Sequence, residues 1–389
     1  MEQYEAVIIG GGPAGSSTAI GLAREGMKVA VVEKRPFPRE VICGEFLSHE
    51  VLSALRDFGV FEEFLSLRPQ TISTFAFVSE RGVPVLRSLG FPAAAMKRSL
   101  LDNLLLKKAR SSGATVVQPA DAASVNRRRD GFEILLKTPS GSQTLSANYV
   151  VAAYGRSGAL DRALHRGFAS IRSGMTGMKY HVPRTMINEF PEDQIRIYCS
   201  RDIYCGVNSV GEHEVTLCYL ARADGRTPRE SLSLLLERNR GFRALFRGDP
   251  VAGMEHLPRY GTGNVFFGPR NLVENGVFMA GDAAGVIGPL AGDGIGMAMA
   301  SGRLLADVLL RCTKTGANRL QMERFYTTEW RRKFARRLRT AALLQRLAMN
   351  PLSANTGALL MTLFPVLLDA MIRGTREPTS ADSPVPAFR

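Results

Sequence analysis

Tyr4-Glu5-Ala6-Val7-Ile8-Ile9-Gly10-Gly11-Gly12-Pro13-Ala14-Gly15 opens the chain and decides its architecture. Ala6 to Ile9 is a short apolar run rich in β-branched residues, the pattern of a buried parallel strand. It ends in Gly10-x-Gly12-x-x-Gly15, and an apolar helix is predicted from Ser16 to Glu25. A second strand is predicted from Lys28 to Val32, with Glu33 at its end, about twenty residues past the glycines. Gly10 serves the tight turn, Gly12 lets a pyrophosphate approach the backbone, and Gly15 lets the helix pack on the strand. Pro13 and Ala14 start the helix, whose N-terminus faces the anionic phosphates. Glu33 is placed to accept hydrogen bonds from ribose hydroxyls. Strand, glycines, helix, strand and acidic end in this order point to a dinucleotide site.

The chain has 389 residues, too long for one simple core. Apolar residues make up 45% and charged residues 22%, ordinary for a globular protein, whereas the net charge of +14 favours an anionic partner. Residue 2 is Glu and the first apolar run is a structural strand, so no signal peptide is expected. The five cysteines (43, 199, 205, 218 and 312) show no CxxC pair or His cluster, which argues against a disulfide framework or a metal site and for a reducing cytoplasm. The apolar run from Ala358 to Leu368 is broken by Pro365 and is too short to span a bilayer.

Further along, helical spacing is predicted over 49–67 and strands over Thr71–Val78 and Val83–Leu89, which would start a second sheet. Arg98 to Asp102 opens another helix. Thr115 to Gln118 reads as a strand, an antiparallel excursion runs through Val125 and the Asp130-Gly131 turn, and Tyr149 to Ala153 returns to an apolar strand. Residues 175–220 have strand character, with strands over Tyr204–Val210 and Val215–Ala221, and Ser231 to Phe246 reads as a helix. Val277 to Ala280 is a last parallel strand, followed by Gly281-Asp282-Ala283-Ala284-Gly285 and a helix from Gly294 to Leu310. The tail from Asn318 is mostly helical, with a frayed end over Glu377–Arg389, where three prolines fall. The nucleotide domain is thus expected in separated segments, 1–75, 97–170 and 271–312. Substrate-domain strands fill 76–96 and 171–270, and a helical region runs from 313 to 389.

Gly10 to Glu33, Arg98 with Asp102, and Gly281-Asp282 together resemble the FAD-dependent oxidoreductases of the para-hydroxybenzoate hydroxylase fold. That superfamily includes aromatic monooxygenases, geranylgeranyl reductases and flavin-dependent halogenases. Cys43-Gly44-Glu45-Phe46-Leu47-Ser48 and Pro289-Leu290-Ala291-Gly292-Asp293-Gly294-Ile295-Gly296 look most like the geranylgeranyl reductase-like flavoproteins. The resemblance implies an α/β fold, with a Rossmann-like FAD-binding domain, an inserted antiparallel β-sheet substrate domain and a helical C-terminal region. It also implies FAD contacts from Lys34, Arg39, Arg98 and Val125, from Gly281 and Asp282, and from Gly292, Gly294, Ile295 and Gly296 beneath the isoalloxazine. Cys43 and Glu45 are candidate proton donors.

Flavin carries the redox chemistry, and the protein supplies position and electrostatics. Aromatic hydroxylases of this fold carry Asp-Gly after the strand that here ends at Ala153, whereas this chain has Tyr154-Gly155. That departure leaves the electron donor open between NAD(P)H and an external reductant, a partner or free reduced flavin. The Trp-x-Trp-x-Ile-Pro motif of halogenases and the Tyr-x-Trp-x-Gly motif of archaeal prenyl reductases are both absent. The primary expectation is a monooxygenase acting on a hydrophobic or aromatic small molecule in a biosynthetic pathway. The alternatives are a reductase that reduces or forms C=C bonds and a flavoprotein docking to a protein partner.

On the substrate side, Met175 to His181 combines an adaptable lining with a cation, a phenol and an imidazole, so Lys179 and His181 join the catalytic candidates. Tyr180, Tyr198, Tyr204, Asn208 and Tyr219 are further candidates. Arg331, Arg332, Lys333, Arg336, Arg337 and Arg339, interleaved with Phe334 and Leu338, form a basic amphipathic helix suited to an acidic carrier protein or an anionic membrane surface. The expected location is the cytoplasm, peripheral to a membrane if that helix docks there. No nucleic-acid-binding motif accompanies the charge.

Overall fold

The computed structural model describes residues 2–171, 173–364, 366 and 374–376. The opening run forms the strand Glu2–Ile9 at the middle of a parallel sheet, with Ala6 opposite Val29 on one side and Tyr149 on the other. Val29–Val32 and then Thr115–Val117 extend this sheet one way, and Gly141–Ala152 and then Val277–Met279 extend it the other. The hairpin Asp121–Arg128 and Gly131–Thr138 attaches to Gly141–Ala152. All four residues of Val29–Val32 are buried, as an apolar strand covered on both faces requires. One covering layer is the helix Pro13–Arg24, packed on the long helix Gly294–Lys314.

The second sheet has eight strands, and the chain enters it in separate excursions. Gln70–Val78 and Pro84–Ala95 form one, joined by the short Phe46–Leu47 strand at the edge. Met175–Pro183, Gln194–Ser200, Ile203–Ser209 and Glu214–Arg222 form the other, with Arg259–Thr262 on its outer edge. The sheet is antiparallel except where Gln194–Ser200 meets Gln70–Val78, and there the pairing is parallel. That junction joins strands from two different departures of the chain, so no hairpin fixes their direction.

Two helices predicted as continuous are broken. The 49–67 segment divides into His49–Asp57 and Phe61–Ser66 at Gly59, whose φ of 64° is left-handed. The 231–246 segment divides at Asn239 into Pro228–Arg238 and Arg240–Ala244. The Asn239 side chain accepts from Phe242 N at 2.9 Å and donates to the Val78 and Cys199 carbonyls, which ties both helices to the sheet. The tail forms the helices Arg319–Ala348 and Pro351–Leu363, with N-caps at Asn318 and Asn350. Glu377–Arg389 and part of the apolar run ending at Leu368 lie outside the described residues. Among the described residues, no helix is long and apolar enough to cross a membrane.

Candidate active site

One elongated cavity of about 1190 Å³ runs from the opening glycines, between the two sheets, to the tail helices. At its first end Gly10 has φ +108°, and a Cβ there would lie 2.4 Å from the Ala153 carbonyl oxygen. A Cβ on Gly15 would meet the Gly10 carbonyl oxygen at 1.8 Å. Gly12 instead faces open space, with Arg39 Nη2 its nearest neighbour at 3.9 Å. Pro13 and Ala14 line the cavity at the helix N-terminus, and no acidic residue occupies that first turn. Its orphan N–H groups are therefore available to an anion.

Glu33 sits beside this cradle and accepts from Gly11 N at 2.8 Å and Arg35 N at 3.0 Å. Arg39 bridges Glu33 and the buried Asp102, at 3.3 and 3.2 Å. Arg98 donates to both Asp102 oxygens, at 2.7 and 2.9 Å. Asp102 thus fixes two cavity-lining guanidiniums side by side, and its i,i+4 spacing from Arg98 was visible in the sequence. Lys34 lines the rim and pairs with Asp121 at 2.8 Å. Val125 does not line the cavity but packs against the first core. The chain reaches the cavity wall earlier, at Ala120, Asp121 and Ala122, and a register shift between Ala122 and Ser124 separates them from Val125.

At the other end of the cofactor region Asp282 lines the cavity. Burial pushes its carboxyl up, against the pull of Arg156, Arg270 and Arg98. Gly292 is left-handed with φ 61°, and its carbonyl and that of Ala291 accept from Arg376 at 3.2 and 2.9 Å. Gly294 and Ile295 line the wall as the long helix begins. Gly281 and Gly296 do not line it. A Cβ on Gly281 would lie 2.7 Å from Ala14 Cβ, and one on Gly296 would lie 2.7 Å from Asp293 Oδ1, so both serve close packing. Asp293 in turn holds Ser48, Arg337 and Arg376. Arg337 also donates to both Glu50 oxygens at 2.9 Å. Arg337 is therefore turned inward and drops out of the basic surface predicted for the tail helix.

Three of the predicted catalytic residues converge. Glu45 Oε1 accepts from Lys179 Nζ at 2.9 Å and Arg98 N at 3.0 Å, while Oε2 meets His181 Nε2 at 2.7 Å and Thr216 Oγ1 at 2.5 Å. Lys179 also pairs with Glu40 at 2.6 Å. Burial alone would raise the Glu45 carboxyl, but the His181 hydrogen bond and the Lys179 charge hold it at about 2. Held this way, the Glu45 carboxylate is an acceptor for Lys179, His181, Thr216 and the Arg98 N–H. Lys179 and His181 do not line the cavity, and of the Met175–His181 segment only Gly177 does. Both side chains turn to Glu45 instead. Glu40, Glu45 and His181 have the spacing of metal ligands, but the Lys179 ammonium already stands between the two carboxylates. Glu45 has φ 59°, a left-handed conformation at a non-glycine residue, and its buried carboxylate contacts hold it there.

Cys43 lines the cavity in front of this cluster, within hydrogen-bonding reach of the Arg98 guanidinium. The wall beyond it is apolar. Phe75, Phe77, Ile195 and Ile197 contribute from the second sheet, and Leu344, Leu360 and Met361 from the tail. Two buried polar groups on the second sheet stand out in it. Tyr204 and Asn208 line the cavity from one face of the same strand, both are buried, and the Tyr204 hydroxyl and Asn208 Oδ1 lack hydrogen-bond partners among the described residues. Tyr154 is engaged elsewhere. Its hydroxyl donates to Asp161 at 2.5 Å and accepts from Arg166, which also holds the Ala283 carbonyl next to Asp282.

An open glycine cradle, a helix N-terminus, paired arginines and a buried carboxyl along one cavity define a dinucleotide-cofactor oxidoreductase site, and these residues fit FAD. The chain belongs to the FAD binding domain family, whose model matches residues 3–342. It is 26% identical to the menaquinone reductase of Mycolicibacterium smegmatis over 78% of this chain and 76% of that protein. It is also 26% identical to digeranylgeranylglycerophospholipid reductase 2 of Methanothermobacter thermautotrophicus, over 86% of this chain and 85% of that one. In fold it is similar to the flavin-dependent brominase Bmp2, with TM-score 0.78 and 20% identity over 96% of this chain and 93% of that one. The p-nitrophenol 4-monooxygenase PnpA of Pseudomonas putida gives TM-score 0.74 at 19% identity, over 97% of this chain and all 100% of that one. The protein is an FAD-dependent oxidoreductase.

Proposed function

We propose that this flavoenzyme reduces carbon–carbon double bonds in the apolar chain of a lipid-like substrate. The carrying observation is the long aliphatic and aromatic tunnel that is continuous with the cofactor cavity and has the Cys43 thiol at the join. Relatives named as reductases of menaquinone and of a geranylgeranyl lipid support this reading. FAD, bound here and already reduced, would supply the hydride. The chain's own residues do the rest. Phe75, Phe77, Ile195 and Ile197 desolvate and align the substrate chain, and Cys43 gives a proton to the carbon that does not receive hydride. Arg98 stands beside the sulfur that loses it. The Tyr204 hydroxyl and Asn208 carbonyl hold a polar oxygen-bearing group of the substrate, since buried polar atoms need partners.

Those same two polar groups favour a second reading, oxygenation of a phenolic or other oxygen-bearing ring. Product mass separates the two. Turnover under labelled oxygen is expected to add two hydrogens and no label, and a labelled hydroxyl in the product would replace reduction by oxygenation. Reducing equivalents come from a partner or free reduced flavin in this proposal, because Tyr154 takes the position of the aspartate used by hydroxylases of this fold.

A further inference from the structure

The helix Pro351–Leu363 is built inside out. It buries the small residues Ala354 and Ala358 together with Met361. On the opposite side it exposes Leu352 (78%), Leu359 (54%) and Leu363 (62%), and Phe364 follows at 58%. These positions are seven and four residues apart, so they share one face. The helix carries no charged residue. Large side chains in water and small ones against the core reverse the usual order, which marks a face that meets something else.

The preceding helix leads into this face. Arg332, Arg336, Arg339, Leu343 and Arg346 are exposed and recur every three or four residues, with the exposed Leu347 four residues past Leu343, which makes one stripe along Arg319–Ala348. Three arginines lead the stripe, and at its end Arg346 stands between Leu343 and Leu347, next to the apolar helix. The tunnel opens here as well: Leu347 and Leu360 are exposed at the surface and also line the cavity.

We propose that this surface docks on an anionic lipid bilayer, with the 351–364 segment at the acyl boundary and the arginine stripe on the headgroups. Charge selects this occupant. An apolar patch alone would suit a protein partner equally, but a cationic stripe running into charge-free leucines matches a negatively charged surface over hydrocarbon. The tunnel mouth then faces the membrane, and a lipid-like substrate enters without crossing water. That last step rests on the function proposed above, whereas the docking does not.

Vesicle co-sedimentation of the whole flavoprotein tests it, with flavin absorbance as the control for folding. Binding to phosphatidylglycerol-containing vesicles is expected, weakening with salt and weak on pure phosphatidylcholine. Arg336→Gln/Arg339→Gln/Arg346→Gln should lower partitioning roughly 100-fold. Leu359→Ser and Leu363→Ser should each lower it on the order of tenfold. None of these side chains lines the cavity. All variants should turn over a detergent-dispersed substrate like the parent and lose turnover of vesicle-embedded substrate. Absence of vesicle binding, binding indifferent to these substitutions, or capture by an acidic protein in place of vesicles would overturn the docking. Normal vesicle binding with no substrate turned over in either form would leave the docking standing and sink the functional reading.

Discussion

Glu45 shows how much a single residue can hold. Its carboxylate ties Lys179, His181 and Thr216 of the second sheet to the Arg98 backbone at the start of a helix of the nucleotide domain. Because its folded value of about 2 lies below the ordinary carboxylate range, its contribution to stability is complete above pH ~4.5 and is lost as pH falls through about 2. That contribution is roughly 3 kcal/mol. Glu45→Gln leaves Lys179 short of one buried partner and should lower unfolding free energy at pH 7 by about 3–5 kcal/mol. Urea midpoints from pH 7 to 3 should show the parent's advantage shrinking below pH ~4.5, and a constant gap would contradict the assignment. Asp282→Ala should weaken FAD retention, and a purified variant with full flavin occupancy would remove Asp282 from the cofactor contacts. The sequence brought Glu45, Lys179 and His181 to attention by residue type. It did not show that Lys179 and His181 point at Glu45 rather than at substrate, because strand facing depends on register across a sheet assembled from distant segments.

At the scale of elements, the helix after the glycines was legible because strand, turn and acidic end each constrain it. Its partner was not. Gly302 lies in the middle of the helix Gly294–Lys314, and a Cβ there would stand 2.2 Å from the Ala14 carbonyl oxygen. A Cβ on Gly21 would stand 2.8 Å from Ala306 Cβ in the same interface. Gly302→Ala should cost about 1–3 kcal/mol through overpacking and lower the melting temperature, and a neutral result would mean that the two helices separate freely. The tail helix is amphipathic as expected, but its buried face, which runs from Met322 to Ala348, takes in one of the six basic residues assigned to its surface. Arg337 meets Asp293 and Glu50 beneath the Gly292–Gly296 loop. Arg337→Met should destabilise the protein by about 3–5 kcal/mol and loosen FAD, measured by thermal melting and by flavin released on gel filtration. Unchanged flavin retention would confine the arginine to stability. No periodicity distinguishes the inward Arg337 from the cations around it, since the distinction depends on where two acidic partners arrive from remote loops.

Across the whole molecule, the two-sheet plan follows from the order of the segments. The parallel junction between Gln194–Ser200 and Gln70–Val78 depends on how two excursions meet in space, which no local signal encodes. The cavity between the sheets is likewise a property of assembly, with walls drawn from the opening glycines, the second sheet and the tail. Electron delivery is testable at this scale. With Tyr154 engaged by Asp161 and Arg166, anaerobic NADPH or NADH should leave the oxidised flavin spectrum unchanged over minutes, and rapid bleaching would show direct hydride acceptance.

In the proposed reaction an unsaturated apolar chain in the tunnel takes electrons from the flavin. The most direct measurement is anaerobic stopped-flow absorbance of the photoreduced protein, mixed with a lipid bearing geranylgeranyl chains or with its saturated counterpart. Oxidised flavin is expected to return only with the unsaturated lipid, with one double bond lost per flavin. No reoxidation by either lipid, followed by rapid reoxidation and substrate hydroxylation when oxygen is admitted, would contradict it.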